Sequence, residues 1–169
     1  MAASLKSNLI TNSDATPQVH NNVAQSGGRV RIQMDNFEWV GATLTTAADF
    51  ARLCRVPTNA RLINFTTWND TLDGGSSLVI DMGVYESGAD TVVSSDCIVD
   101  GSTAFQTASL AQGIEHVGLV AADLTNLGKP MWEVAGVSAD PGGTYDICMT
   151  AQAPAGSDAT GTVSFRILY

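Results

Sequence analysis

Leu78-Val79-Ile80-Asp81-Met82-Gly83-Val84-Tyr85 sets Leu, Ile, Met and Val at every second position, with Val, Asp, Gly and Tyr between them. A period of two belongs to a β-strand, whose successive side chains point to opposite faces. The same period returns twice near the end of the chain. Tyr145, Ile147, Met149 and Ala151 alternate with Thr144, Asp146, Cys148 and Thr150. Val163, Phe165, Ile167 and Tyr169 alternate with Ser164, Arg166 and Leu168, so the C-terminal residues are expected in a sheet.

Working outward, Val30, Ile32 and Met34 alternate with Arg29, Arg31, Gln33 and Asp35, which predicts a strand with the apolar set in the core. The apolar parity then moves to Phe37 and Trp39. A one-residue shift exchanges the two faces, so a bulge or bend is expected near Asp35-Asn36. Residues 50–56, ended by Pro57, and residues 61–68, with Leu62, Ile63, Phe65 and Trp68, add two more strands. Residues 130–137 read as a short strand centred on Trp132 and Val134. Residues 104–117 read as a short helix, and residues 121–127 as a helical turn within a loop.

Turn chemistry separates these runs: Thr58-Asn59, Asp73-Gly74-Gly75 and Ser138-Ala139-Asp140-Pro141-Gly142-Gly143. No helices of strand-linking length alternate with the strands, so a parallel α/β sheet is not expected. The pattern predicts an all-β protein, an antiparallel β-sandwich or jelly roll, over residues 29–169. Residues 1–28 carry Leu5, Lys6, Leu9, Ile10, Val19 and Val23 among Asn, Ser, Thr and Gln, with no period of two or 3.6. They read as an extended N-terminal arm.

Composition narrows the function. The chain has 169 residues, 44% hydrophobic and only 15% charged, which suits a turn-rich sheet protein and not a disordered one. Net charge is −9, unevenly spread. Residues 1–61 hold six basic and four acidic groups, whereas residues 62–169 hold two basic and thirteen acidic groups. So acidic a body repels nucleic acid. No apolar run approaches the roughly 20 residues of a membrane helix. The start, Met1-Ala2-Ala3-Ser4-Leu5-Lys6, lacks a secretory pattern, so synthesis in a cytoplasm is expected.

Reactive groups are sparse. Cys54, Cys97 and Cys148 are far apart and lack metal-ligand spacing, so buried free thiols are expected. His20 and His116 have no nucleophile motif nearby, and His116 reads as structural. Asp81 and Asp146 fall on the polar faces of predicted strands, as solvated charges. Asp70 and Asp73, or Asp140 with Asp146, do not follow the spacing of a calcium loop. The glycine pairs at 27–28, 74–75 and 142–143 are not followed by a phosphate-loop signature. No enzyme activity, cofactor or metal is expected.

Two stretches read together carry a resemblance. One is Gly27-Gly28-Arg29-Val30-Arg31, leading through Val56-Pro57-Thr58-Asn59-Ala60-Arg61-Leu62-Ile63. The other is Trp132-Glu133-Val134-Ala135-Gly136-Val137-Ser138-Ala139-Asp140-Pro141-Gly142-Gly143-Thr144-Tyr145-Asp146. This order resembles the small decoration or cement proteins of tailed-phage virions, over residues 27–169. The resemblance implies a β-sandwich or jelly-roll body on the outer capsid surface that bridges subunits of the major capsid protein, itself a homo-dimer or homo-trimer. On that reading the contacts come from Leu5, Lys6, Leu9, Ile10, Val19, Val23, Arg29 and Arg31, the two arginines facing capsid carboxylates. A tail, fibre or head-fibre base module of the virion is the alternative. A carbohydrate-binding module or sandwich-fold enzyme is a third.

Overall fold

A computed structural model describes residues 15–17, 19, 29–39, 46–117, 126–156 and 160–169. The chain divides into two units, Met1–Val30 and Arg31–Tyr169. The expected arm, residues 1–28, lies almost wholly outside the described residues, as do residues 121–125 of the expected helical turn.

Eight strands are described, all in the second unit: β1 (Ile32–Trp39), β2 (Phe50–Pro57), β3 (Asn64–Asn69), β4 (Val79–Glu86), β5 (Val92–Ser102), β6 (Ile114–Glu115), β7 (Thr144–Ala153) and β8 (Gly161–Leu168). They form two antiparallel four-stranded sheets, ordered β1-β8-β3-β6 and β2-β7-β4-β5. Early and late strands interleave in both sheets, so the chain folds back on itself from its two ends. Eight strands wound in this order are a jelly roll. The all-β expectation holds in this more specific form.

The alternating runs build the core as their period requires. In β8, Val163, Phe165 and Ile167 are buried while Thr162, Ser164, Arg166 and Leu168 are half-buried. Ile147, Met149 and Ala151 of β7 and Ile80, Met82 and Val84 of β4 meet them from the other sheet. Leu62, Leu72, Leu78, Phe105 and Met131 join the same core from outside the strands.

β4 is buried on both faces, contrary to the placing of Asp81 on a solvated one. Asp81, Gly83 and Tyr85, the outer set, are all buried. The backbone of β5 passes directly over Gly83: a Cβ there would collide with the Ser94 carbonyl oxygen and lie 2.7 Å from that of Ser95. Three register irregularities between β4 and β5 allow this close crossing. Asp146 of β7 is also buried, so neither aspartate is the solvated charge expected.

β1 reverses its expected face. Its register with β8 runs unbroken from Ile32 opposite Leu168 to Trp39 opposite Gly161, with no bulge at Asp35-Asn36. In an unbroken strand one parity faces the core throughout. Phe37 and Trp39 take that side, and Ile32 and Met34 are left 51% and 66% exposed. Two aromatic side chains bury more apolar area than Ile and Met together, so the aromatics set the phase. Gln33 follows them inward, and its Nε2 donates to the Arg55 carbonyl at 2.7 Å and to the Tyr169 hydroxyl at 2.9 Å.

Two further expectations are corrected. Residues 130–137 form no strand: Met131–Val134 is a one-turn helix, α1. Pro130 precedes it, and Gly136 at φ 76° follows its end. The amide of Gly136 donates to the Glu133 carbonyl and that of Val137 to the Trp132 carbonyl, the bonds of a Schellman cap. Residues 104–117 hold a 3₁₀ turn, Ala104–Gln106, and strand β6 in place of a helix. Gly113, at φ 71°, packs so closely on Trp68 that a Cβ would sit 2.7 Å from Nε1. Of the three tryptophans, Trp39 is buried, and Trp68 and Trp132 are half-buried.

Candidate docking surface

Among the described strands four lie at sheet edges: β1 and β6 in one sheet, β2 and β5 in the other. An exposed edge offers unpaired N–H and C=O groups to any passing strand, and folded proteins blunt it with charge, bulges, proline or short length. β6 is two residues long. β5 has an irregular register and carries exposed Asp96 and Asp100. β2 has a register break between Arg52 and Cys54, two arginines, and Pro57 at its end. β1 is eight residues long and regular, with Ile32 and Met34 exposed on its outer face and the charged Asp35 and Glu38 exposed beside them.

The hydrogen-bond phase of β1 follows from its first pair. Arg31 and Tyr169 exchange both backbone bonds, at 2.7 and 3.0 Å. In an antiparallel ladder such pairs alternate, so the odd residues of β1 bond to β8. The N–H and C=O groups of Ile32, Met34, Asn36 and Glu38 therefore point away from β8, to a flank that is open among the described residues. Asp35 closes part of it by accepting the Asn36 amide through Oδ1 at 2.8 Å. On the outer face, half-buried Leu168 lies opposite Ile32, and Arg166 lies opposite Met34. The Arg166 guanidinium in turn stacks 5.5 Å from the Trp68 ring.

Of the residues the sequence nominated for contact, Leu5, Lys6, Leu9, Ile10 and Val23 lie outside the described residues. Val19 and Arg29 are exposed. Arg31 is exposed at the start of the β1 edge, and no side-chain partner for it appears among the described residues. Ile32 and Met34 were missed as surface residues because their period assigned them to the core. The only signal against that assignment was the pair of aromatics downstream in the opposite phase.

The remaining arginines of the N-terminal third serve the fold. Arg55 binds both oxygens of Asp146, and Arg52 reaches Asp90 at 2.5 Å while stacking on Phe50. The acids weighed for calcium hold backbone. Asp73 accepts the amides of Gly75, Ser77, Leu78 and Gly156. Asp70 accepts the Thr162 amide, and Asp140 accepts the Thr58 hydroxyl and the Gly142 amide. Among the described residues no three His, Cys, Asp or Glu side chains converge as a metal site would need.

His116 is buried, its Nε2 2.7 Å from the Thr67 hydroxyl and its ring stacked on Phe105. Burial lowers its pKa to about 4. It borders a cleft of about 40 Å³ with Leu62, Cys97, Lys129 and Met131. That is space for a water or two. Cys148 is buried, and Cys54 and Cys97 are half-buried. Burial pushes Cys54 and Cys148 up to about 12 and Cys97 up to about 11, so none is a nucleophilic thiolate near neutral pH.

No family model matches the chain, and no curated protein matches its sequence. Its fold is similar to that of two solved structures. One is described as the cyanophage Pam1 capsid asymmetric unit, at 20% identity and a TM-score of 0.53, covering 85% of this chain and 86% of that one. The other is described as the capsid of Ralstonia phage GP4, at 17% identity and a TM-score of 0.56, covering 82% and 83%. At such identities the likeness is one of fold.

Proposed function

We propose that this chain is a non-enzymatic structural protein of a phage virion, seated on the outer capsid surface, where it bridges subunits of the major capsid protein as a decoration or cement protein. The observation that carries the reading is the exposed outer face of β1, with Ile32 and Met34, on a fold similar to chains of two phage capsids. An exposed apolar face suits a protein whose working state is an assembly. A cement protein acts by mass action, since whatever binds only the assembled shell stabilises it. Many weak contacts repeated over a lattice add to a firm one. In this reading residues 1–28 act as an arm laid on a neighbour, and Arg29 faces acidic groups of the shell.

Electron microscopy of purified particles tests the reading. Density for the jelly roll on the outer shell, and shells that disassemble at lower temperature when it is missing, are the expected results. Density confined to a tail or fibre base would move the protein to that part of the virion. Absence from particles would remove the virion role altogether.

A further inference from the structure

The open flank of β1 has a sequence that fits itself. Arg31-Ile32-Gln33-Met34-Asp35 runs basic, apolar, polar, apolar, acidic about Gln33. We infer that two copies of the chain pair antiparallel through β1, about a two-fold axis at Gln33, and join their β1-β8-β3-β6 sheets into one sheet of eight strands.

The backbone phase permits this register. The groups of Ile32 and Met34 point to the open flank, so Ile32 opposite Met34 of the partner subunit is a hydrogen-bonded pair. Its symmetry mate doubles the bonds, to four in all. Gln33 opposite Gln33 of the partner subunit is then a pair without backbone bonds, as its inward-bonding phase requires.

The side chains favour the same register. Arg31 faces the partner's Asp35, and the reverse contact repeats it, giving two opposite-charge pairs across the seam. Both residues are exposed, and both sit in pairs of the closer kind, about 4.5 Å between Cα atoms. On the outer face Ile32 and Met34 of each copy join into one apolar row, flanked by Leu168.

The neighbouring registers are worse. Centring on Met34 or Asp35 needs the Asn36 amide, which Asp35 already holds. Centring on Asp35 also sets two carboxylates face to face. Centring on Ile32 leaves Arg31 against the uncharged Gln33 of the partner subunit. Asp35 thus both ends the usable edge and supplies the charge that selects the register. The contact is isologous and closes on itself, so it yields a dimer and not a filament. It goes beyond the virion reading, because it concerns the free protein and holds whether or not that protein meets a capsid.

Sedimentation or native mass measurement of the full chain is the test. The wild type is expected to be a dimer. Arg31→Asp and Asp35→Arg each turn both cross-seam pairs into like-charge pairs, and each protein is expected to self-associate at least ~10-fold more weakly. An equal mixture of the two variants restores opposite charge at both pairs, so it is expected to form a one-to-one heterodimer. Circular dichroism of each variant alone establishes that it is folded. A monomeric or trimeric wild type, single variants that associate as the wild type does, or folded variants that stay monomeric when mixed would each overturn the inference.

Discussion

Arg55 holds Asp146 with two nitrogens across the seam between β2 and β7, Nε 2.6 Å from Oδ1 and Nη2 3.0 Å from Oδ2. Arg52 stands 3.8 Å from the same carboxylate, and the Gly88 amide donates to it at 3.0 Å. The aspartate is 4% exposed. Hydrogen bonding from Arg55 holds its pKa below the usual carboxylate range, against the opposing effect of burial. This grip fixes edge strand β2 to the centre of its sheet. Asp146→Asn keeps the shape but removes the charge, and should lower unfolding free energy by about 1–3 kcal/mol. Urea unfolding at pH 7 measures the loss, and an unchanged midpoint would count against the grip.

Asp73 is the second buried carboxylate on which the fold leans. Burial raises its pKa, but four backbone amides pull it down further, well below the ordinary carboxylate value. These bonds tie the turn before β4 to the loop after β7. Asp73→Ala leaves several buried donors without their acceptor and is expected to cost about 3–5 kcal/mol. The sign of the pH effect follows from the depressed pKa. The contribution is complete above the unfolded value near 4 and fades as pH falls below it. Acid unfolding of the wild type should therefore be steep below about pH 4, and a variant lacking the Asp73 carboxylate should show a shallower acid limb.

His116 acts in a different pH window. Burial against Phe105 and Phe65 keeps the imidazole neutral and lowers its pKa from 6.5 to about 4. The unfolded chain takes up a proton below about 6.5 that the folded chain refuses until about 4. Stability should fall by up to about 3 kcal/mol across that interval and level off below it. His116→Gln, which keeps a polar partner for Thr67, should flatten the slope between pH 6.5 and 4.5. Equal slopes in the two proteins would show that the histidine is not the titrating group.

The legible parts of the fold were those with a single strong period. β4, β7 and β8 announced themselves because one phase was apolar throughout, and they are three of the four inner strands of the two sheets. α1 hid behind Trp132 and Val134, although Pro130 before it and Gly136 after it are helix boundary signals. A one-turn helix shows no period to set against its β-forming residues. β6 is too short to show one at all. The buried roles of Asp81 and Asp146 depend on distant partners: the Gly101 amide for the first and Arg55 for the second. Such pairings have no local signature. Of the docking surface, Arg31 was visible as a contact candidate, whereas the edge beside it was not, because edge position depends on strand order.

β1 is where two readings of one strand compete, and substitution decides between them. Taken alone, the Val30, Ile32, Met34 run places Ile32 and Met34 in the core, and replacing either by Thr would then cost several kcal/mol. In the structure both face outward, and Trp39 in the opposite phase is buried. Ile32→Thr and Met34→Thr should each change unfolding free energy by no more than about 0.5 kcal/mol, because exposed strand positions tolerate Thr. Trp39→Ala should cost about 3–5 kcal/mol by opening a cavity between the sheets. All three are best made in the Arg31→Asp background, so that self-association does not enter the measured stability. A large loss at Met34 with a small one at Trp39 would mean that β1 lies in the other register. The exposed apolar face, and both inferences that rest on it, would then fall together.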